Sequence, residues 1–155
     1  MSILGRGSVF AIAMVAVLGA GIAAMAQQPA AVIETRQKGM KELGAQMKAI
    51  GDAAKAGAIT KEDAVARSRK INEIATQTAT WFPAGTGAEA GVKTAALAAI
   101  WEKPAEYKAA ADAFAEAAAK LQVAAETGNA ATIAAAHAEV GKSCGGCHRP
   151  FRQRN

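Results

Sequence analysis

The sequence predicts an all-α protein, an antiparallel four-helix bundle, on three observations. Alanine dominates a chain that is 52% hydrophobic but only 5% aromatic, which suits close-packed helices better than a sheet of β-branched and aromatic side chains. Apolar residues recur at steps of three and four in four separate stretches, the spacing of a helix face. The breaks between them fall at glycine, proline and capping residues and are mostly short. At 155 residues the chain has room for one domain, and no internal repeat or low-complexity linker divides it.

The first 26 residues stand apart. Arg6 is their only charge, an apolar run follows from Val9 to Ala24, and Ala24-Met25-Ala26 is a small-x-small cleavage site. This is the pattern of a secretory signal cut before Gln27, leaving residues 27–155 as the mature domain. The competing reading is an uncleaved anchor, because the uncharged stretch from Gly7 to Ala26 is nearly long enough to span a bilayer. The short apolar core and the A-x-A ending favour cleavage, and with it a mature form that has no membrane segment.

Helix one is predicted from Val32 to about Ile50, with Ile33, Arg36, Met40, Leu43, Met47 and Ile50 along its seam. Gly51 and Gly57 bracket its exit. Thr60, with Asp63 three residues on, is a capping-box-like start for helix two, whose seam runs Ala64, Arg67, Ile71, Ile74, Thr78 and Trp81 until Pro83 stops it. Pro83-Ala84-Gly85-Thr86-Gly87 opens a loop to about Gly91, and a short apolar segment, Ala95 to Trp101, follows. Pro104 suits the first turn of helix three. That helix lines up Tyr107, Ala111, Phe114, Ala118, Leu121 and Ala125 and ends at Thr127-Gly128. Asn129 then caps helix four, whose inward line is Ile133, His137, Val140, Cys144, Cys147 and Phe151.

That last line carries the chemistry. The only two cysteines stand in Cys144-Gly145-Gly146-Cys147-His148, the C-x-x-C-H pattern of covalent c-type haem attachment. On a helix both thiols and the imidazole project from one face within a turn. Two thiols then reach the vinyl edge of one porphyrin while the imidazole ligates its iron. Gly145 and Gly146 let the backbone approach the ring. A redox disulfide is one alternative, but it calls for a strand–helix context and no strand pattern lies nearby. A structural zinc site is the other, and it lacks ligands: four are needed, and the only other histidine is His137. One haem c with its iron is the expected cofactor, and its bulk would fill an otherwise thin, alanine-lined core.

The formal charge of +5 is moderate and scattered. Without a Lys/Arg run interleaved with aromatics it argues against nucleic acid and for acidic protein partners. No nucleophile–base pair or acidic dyad converges, so no catalytic residue is assigned.

These residues together resemble the class II c-type cytochromes, cytochrome c-prime and its low-spin methionine-ligated relatives, over essentially the whole mature chain. The matching residues are Arg36-Gln37-x-Gly39-Met40, Phe82-Pro83-Ala84-Gly85-Thr86, Ile100-Trp101, and Val140-Gly141-x-Ser143-Cys144-x-x-Cys147-His148-x-x-Phe151-Arg152. A haem motif near the C-terminus separates this class from the small cytochromes that carry it near the N-terminus. The resemblance implies that Cys144 and Cys147 hold the ring and His148 is the fifth ligand. It also implies that Arg36 approaches a haem propionate, that Arg152 lies beside the proximal histidine, and that Met40 faces the open side of the iron. It implies a periplasmic location and the capacity to form a homodimer through the first two helices, with Val32 and Leu43 flanking the haem line. Pro150 departs from the pattern, and its ring is expected to kink the last turn.

Met40 has two readings. A methionine on an apolar helix face is commonly core filler. Here an expected haem, with Gly39 and Gly44 thinning the helix nearby, moves the expectation to a sixth ligand. His148 and Met40 together would make a one-electron carrier, with Lys142, Arg149, Arg152 and Arg154 steering acidic redox partners in the periplasm. The alternative is a five-coordinate iron that binds nitric oxide or carbon monoxide while Met40 only shields it. Met47 lies seven residues on, roughly 10 Å along the axis, out of reach of the same iron. His137 is read as packing, and Phe82, Trp101, Val140 and Phe151 as pocket wall.

Overall fold

The computed structural model describes residues 29–154; the expected signal and its cut before Gln27 lie outside the described residues. Five helices follow in order: α1 (Pro29–Lys55), α2 (Lys61–Thr78), α3 (Ala99–Glu102), α4 (Pro104–Glu126) and α5 (Ala130–Phe151). The four long ones form the antiparallel bundle; α3 is one turn in the long connection from α2 to α4.

The helix ends follow from local chemistry. Helix α1 passes through Gly51 and closes in a Schellman turn, with Gly57 at φ 63°, Ala58 donating to the Ala53 carbonyl at 2.9 Å and Gly57 to that of Ala54 at 3.2 Å. The Thr60 hydroxyl accepts from the Asp63 N–H at 3.2 Å and starts α2. Pro104 opens α4, and the Asn129 side chain accepts from the Thr132 N–H at 2.9 Å to start α5. Helix α2 ends at Thr78 and not at Trp81, which leaves Trp81 to turn back over α1.

Burial matches the predicted lines on α4 throughout, from Tyr107 to Ala125. On α2 it departs at one place: Ser68 is buried where Arg67 was expected. A hydroxyl bonded to the Val65 carbonyl fits the interior, whereas the Arg67 guanidinium reaches the half-exposed rim to pair with Asp63 and bond Gln46 of α1. Leu43 also lies inside the core, so of the two residues expected to flank a dimer seam only Val32 stays near the surface.

Two apolar clusters result. The larger joins all four long helices around Ile50, Ile71, Phe114, Leu121, Ile133 and Val140. The smaller gathers Ile100, Tyr107 and Phe151 at the end of the bundle where the long connection lies. There the chain makes a tie the sequence did not announce. Helix α5 runs through Pro150 to Phe151, then Arg152 turns extended and pairs antiparallel with Ala96. Leu97 donates to the Phe151 carbonyl at 3.0 Å and Gln153 to that of Ala95 at 2.8 Å. No described helix is long and apolar enough to cross a membrane.

Leu121 and Val123 sit two residues apart on α4 but on opposite faces, fully buried and 70% exposed. Leu121→Ala is expected to cost about 2–5 kcal/mol in chemical denaturation, and Val123→Ala to change stability by no more than about 0.5 kcal/mol.

Candidate haem-binding site

The last turns of α5 set Cys144 and Cys147 half-buried and His148 exposed. Cys144 packs against the larger cluster, as Met40 and Met47 do from α1. Cys147 packs against the smaller one, with Tyr107 and Phe151. The two sulfurs therefore sit at the joint between the clusters. Burial pushes both thiols above the usual cysteine range, so both are protonated at neutral pH. A redox disulfide needs the reverse, a thiolate favoured by a helix N-terminus or nearby cations; these thiols lie far inside a helix. The His148 imidazole is pushed below its usual range, chiefly by partial desolvation and then by the charge of Arg152. It is neutral at pH 7, the form that ligates a metal. Arg152 stays close despite Pro150, because its N–H donates to the His148 carbonyl at 3.1 Å.

Helix α1 is the opposite wall. His137 of α5 donates through Nε2 to the Met47 carbonyl at 2.8 Å. Gly51 permits this approach, since a Cβ there would stand 3.2 Å from His137 Cε1. The helices are antiparallel, so seven residues back from Met47 is Met40, and seven forward from His137 is Cys144. Both steps cover roughly 10 Å, which brings Met40 level with the cysteine turn. Glycines recur on both helices here, at 44 on α1 and at 141, 145 and 146 on α5. A Cβ added at Gly44, Gly141 or Gly146 would meet nothing within 4 Å, and one at Gly145 only the Arg149 guanidinium at 3.6 Å. Two protonated thiols, a neutral imidazole and open space beside the glycines fit one covalently held planar macrocycle.

Gly39 serves another purpose than the one expected of it. A Cβ there would stand 2.2 Å from the Trp81 ring, so the glycine admits the indole that turns back from the end of α2. Arg36 is likewise engaged elsewhere. It is 3% exposed; Nη1 donates to Thr86 Oγ1 at 3.0 Å, and Nη2 to the Thr86 carbonyl and Thr94 Oγ1, both at 2.7 Å. Its guanidinium carbon lies 4.6 Å from the centre of the Phe82 ring. Burial lowers its pKa, and Tyr107 and Glu89 partly restore it; a guanidinium stays charged regardless.

Behind Cys147 stands an aromatic wall. Trp101, Phe82, Tyr107 and Phe151 meet edge to face in that order, with centroids 6.4, 5.3 and 5.6 Å apart. Trp101 Nε1 donates to the Phe82 carbonyl at 3.0 Å and the Tyr107 hydroxyl to that of Thr78 at 2.9 Å. Burial, and then Cys147, push the Tyr107 phenol well up, so it remains a donor. The sequence gives Thr86 and Trp81 no such partners and leaves Thr94 unmarked, because the groups they meet lie far away along the chain.

The family model described as Cytochrome C' matches residues 31–152. Cytochrome c' of Pararhodospirillum photometricum is 36% identical over 125 residues, 81% of this chain and 98% of the relative. That of Rhodospirillum rubrum is 34% identical over 141 residues, 91% and 95% respectively. The crystal structure of cytochrome c' from Rubrivivax gelatinosus superposes with a TM-score of 0.76 at 34% identity, covering 82% of this chain and 98% of that one.

Arg36→Met removes three hydrogen bonds to a charged donor and is expected to cost at least about 2 kcal/mol. Hydrogen exchange should quicken across residues 84–97 before the helices respond. Arg36→Lys should recover less than half of the loss, because an ammonium cannot present the planar fork.

Proposed function

The chain belongs to the cytochrome c' family, whose members carry one covalently attached haem c, and from that premise we propose that its iron is five-coordinate and binds nitric oxide or carbon monoxide. Cys144 and Cys147 hold the ring by thioethers, and His148 supplies the proximal nitrogen. Met40 covers the opposite side as an apolar shield, which reverses the preference for a sixth ligand drawn from the sequence.

One observation carries this reading: Met40, on the stretch of α1 level with the cysteine turn, packs against apolar groups, and the side-chain donors one turn before it are bonded to the long connection. Met40 packs into the larger apolar cluster, while Arg36 and Gln37, the polar residues one turn before it on α1, donate to Thr86, Thr94 and the Lys93 carbonyl. Distal polarity and access decide which small ligands a haem holds. An apolar side suits neutral diatomics that need no donor and disfavours bound dioxygen, which does. What the haem supplies when bound is an iron that accepts or gives one electron and coordinates a gas. The chain holds it, keeps His148 neutral and limits access from α1.

The signal read in the first 26 residues supports a periplasmic location, where a one-electron donor with an acidic face would reduce the iron. Lys142 is paired with Glu139, so Arg149, Arg152 and Arg154 are the stronger candidates for steering that encounter. A homodimer fits the same family: one cytochrome c' of this fold is described by its ligand-controlled dimer dissociation. In this chain Val32, Thr35, Trp81 and Pro83 line a groove between α1 and the segment that follows α2, where a second copy would dock.

The purified protein should weigh one haem more than residues 27–155 alone, and the double variant Cys144→Ser, Cys147→Ser should be colourless. Ferric protein should give high-spin optical and EPR spectra, and ferrous protein should take up carbon monoxide, faster in Met40→Ala. A low-spin ferric spectrum that turns high-spin only in Met40→Leu would instead establish His/Met ligation.

A further inference from the structure

We propose that His137 is a positioning residue for the distal side of the haem. It pins α5 to α1 two turns from the cysteine turn and thereby sets how closely Met40 stands over the iron. This rests on the reading of Met40 as the residue that covers that side.

The pin joins a side chain to a backbone. His137 Nε2 donates to the Met47 carbonyl at 2.8 Å, inside α1, and a carbonyl has two lone pairs, so it accepts the imidazole without giving up its helical partner. What is held is the helix axis, whatever side chain stands at position 47. Gly51 is the matching concession, because any Cβ there would press on the imidazole at 3.2 Å from Cε1.

The second tie lies at the other end of the same seam and is indirect. Arg36 of α1 holds Thr94 at 2.7 Å, and the adjoining Ala95–Leu97 segment pairs with the end of α5 through Phe151 and Gln153. Helices α1 and α5 have little direct contact, and the glycines at 44 and 141 contribute no side chain to set their separation. Met40 is on the stretch between the two ties. It is half-buried, on the same stripe of α1 as Met47, and level with Cys144 by the count of seven residues in each direction. A rigid helix held at Met47 carries Met40 with it. Loss of the pin leaves α1 free to shift at the one place where its distance from α5 decides access to the iron.

The experiment is a double-mutant cycle on the haem-loaded protein. His137→Phe keeps a ring of similar size and removes the N–H; His137→Gln keeps a donor; each is combined with Met40→Ala. The expected result is a several-fold change in the carbon monoxide association rate for His137→Phe, a rate near wild type for His137→Gln, and no further change when His137→Phe is added to Met40→Ala. Hydrogen exchange supplies a readout independent of gas binding: His137→Phe should quicken the amides of residues 40–47 more than those of α2. Gly51→Ala covers the case in which His137→Phe does not fold. It displaces the ring while favouring the helix, so the rate should move without a loss of thermal stability. If the wild-type ferric iron is low-spin, the five-coordinate reading fails by itself, and the cycle is read on the low-spin band, which His137→Phe should weaken. The proposal is overturned if His137→Phe lowers Tm but leaves the rate or band unchanged, or if its effect is equally large in Met40→Ala.

Discussion

A guanidinium with almost no access to water is the most demanding group in this fold, and the end of the bundle is arranged around it. An isolated buried cation costs several kcal/mol, which only good geometry and further hydrogen bonds offset. Arg36 has both: three bonds from two nitrogens to Thr86 and Thr94 and the face of Phe82 beneath it. Thr86 and Thr94 lie on one connection, so holding the cation also fixes that connection against α1. From there order spreads to Phe82, to the edge-to-face aromatic series, and to the Ala95–Leu97 segment that pairs with the end of α5. The wall behind Cys147 is thus a consequence of a charge on a different helix.

The rest of the bundle divides bulk unevenly. Alanines at 111, 118, 124 and 125 are buried on α4, and small residues let backbones come near, so α4 packs extensively with both α2 and α5. The seam between α1 and α5 is built the other way. It has glycine where side chains would interdigitate, methionine where a flexible filler is wanted, and discrete polar ties at its ends. Dispersion accumulates only over continuous contact, so such a seam contributes little packing energy of its own. A covalently attached macrocycle would supply the missing contact area, and attachment through α5 commits it to this seam.

Much of this was legible in the sequence because helix seams and caps are local. Steps of three and four located the buried lines of α1, α4 and α5; Thr60, Gly57, Pro104 and Asn129 located the boundaries; the C-x-x-C-H spacing marked the candidate site. What escaped notice depended on residues brought together only by folding. Ser68 and Arg67 both fit a helical seam, and the choice turned on whether a charge had a partner inside. Trp81 looked like the end of a helical face, but the proline two residues later disfavours helix before it, and an indole released from α2 found a surface at Gly39. The bonds from Arg36 to Thr86 also went unread, since nothing local ties it to a threonine fifty residues on. The Ala96–Arg152 pairing is a single bridge with no alternating pattern to betray it.

The position of Met40 illustrates why ligand sets are harder to infer than attachment sites. Attachment needs two thiols on one turn, which is a covalent and local condition. Ligation by a methionine from another helix needs that helix at the right separation, and a shift of about 1 Å in a catalytic or binding group is enough to change its chemistry. Met40 stands level with Cys144 whichever role it has, because height follows from the residue count along two antiparallel helices. Separation follows from what holds the helices apart and together, here the bond from His137 to the Met47 carbonyl at one end and the Arg36 connection at the other. A thioether on three rotatable bonds adapts to the space it is given, so the backbone ties, more than the methionine, decide between a bound ligand and a shield.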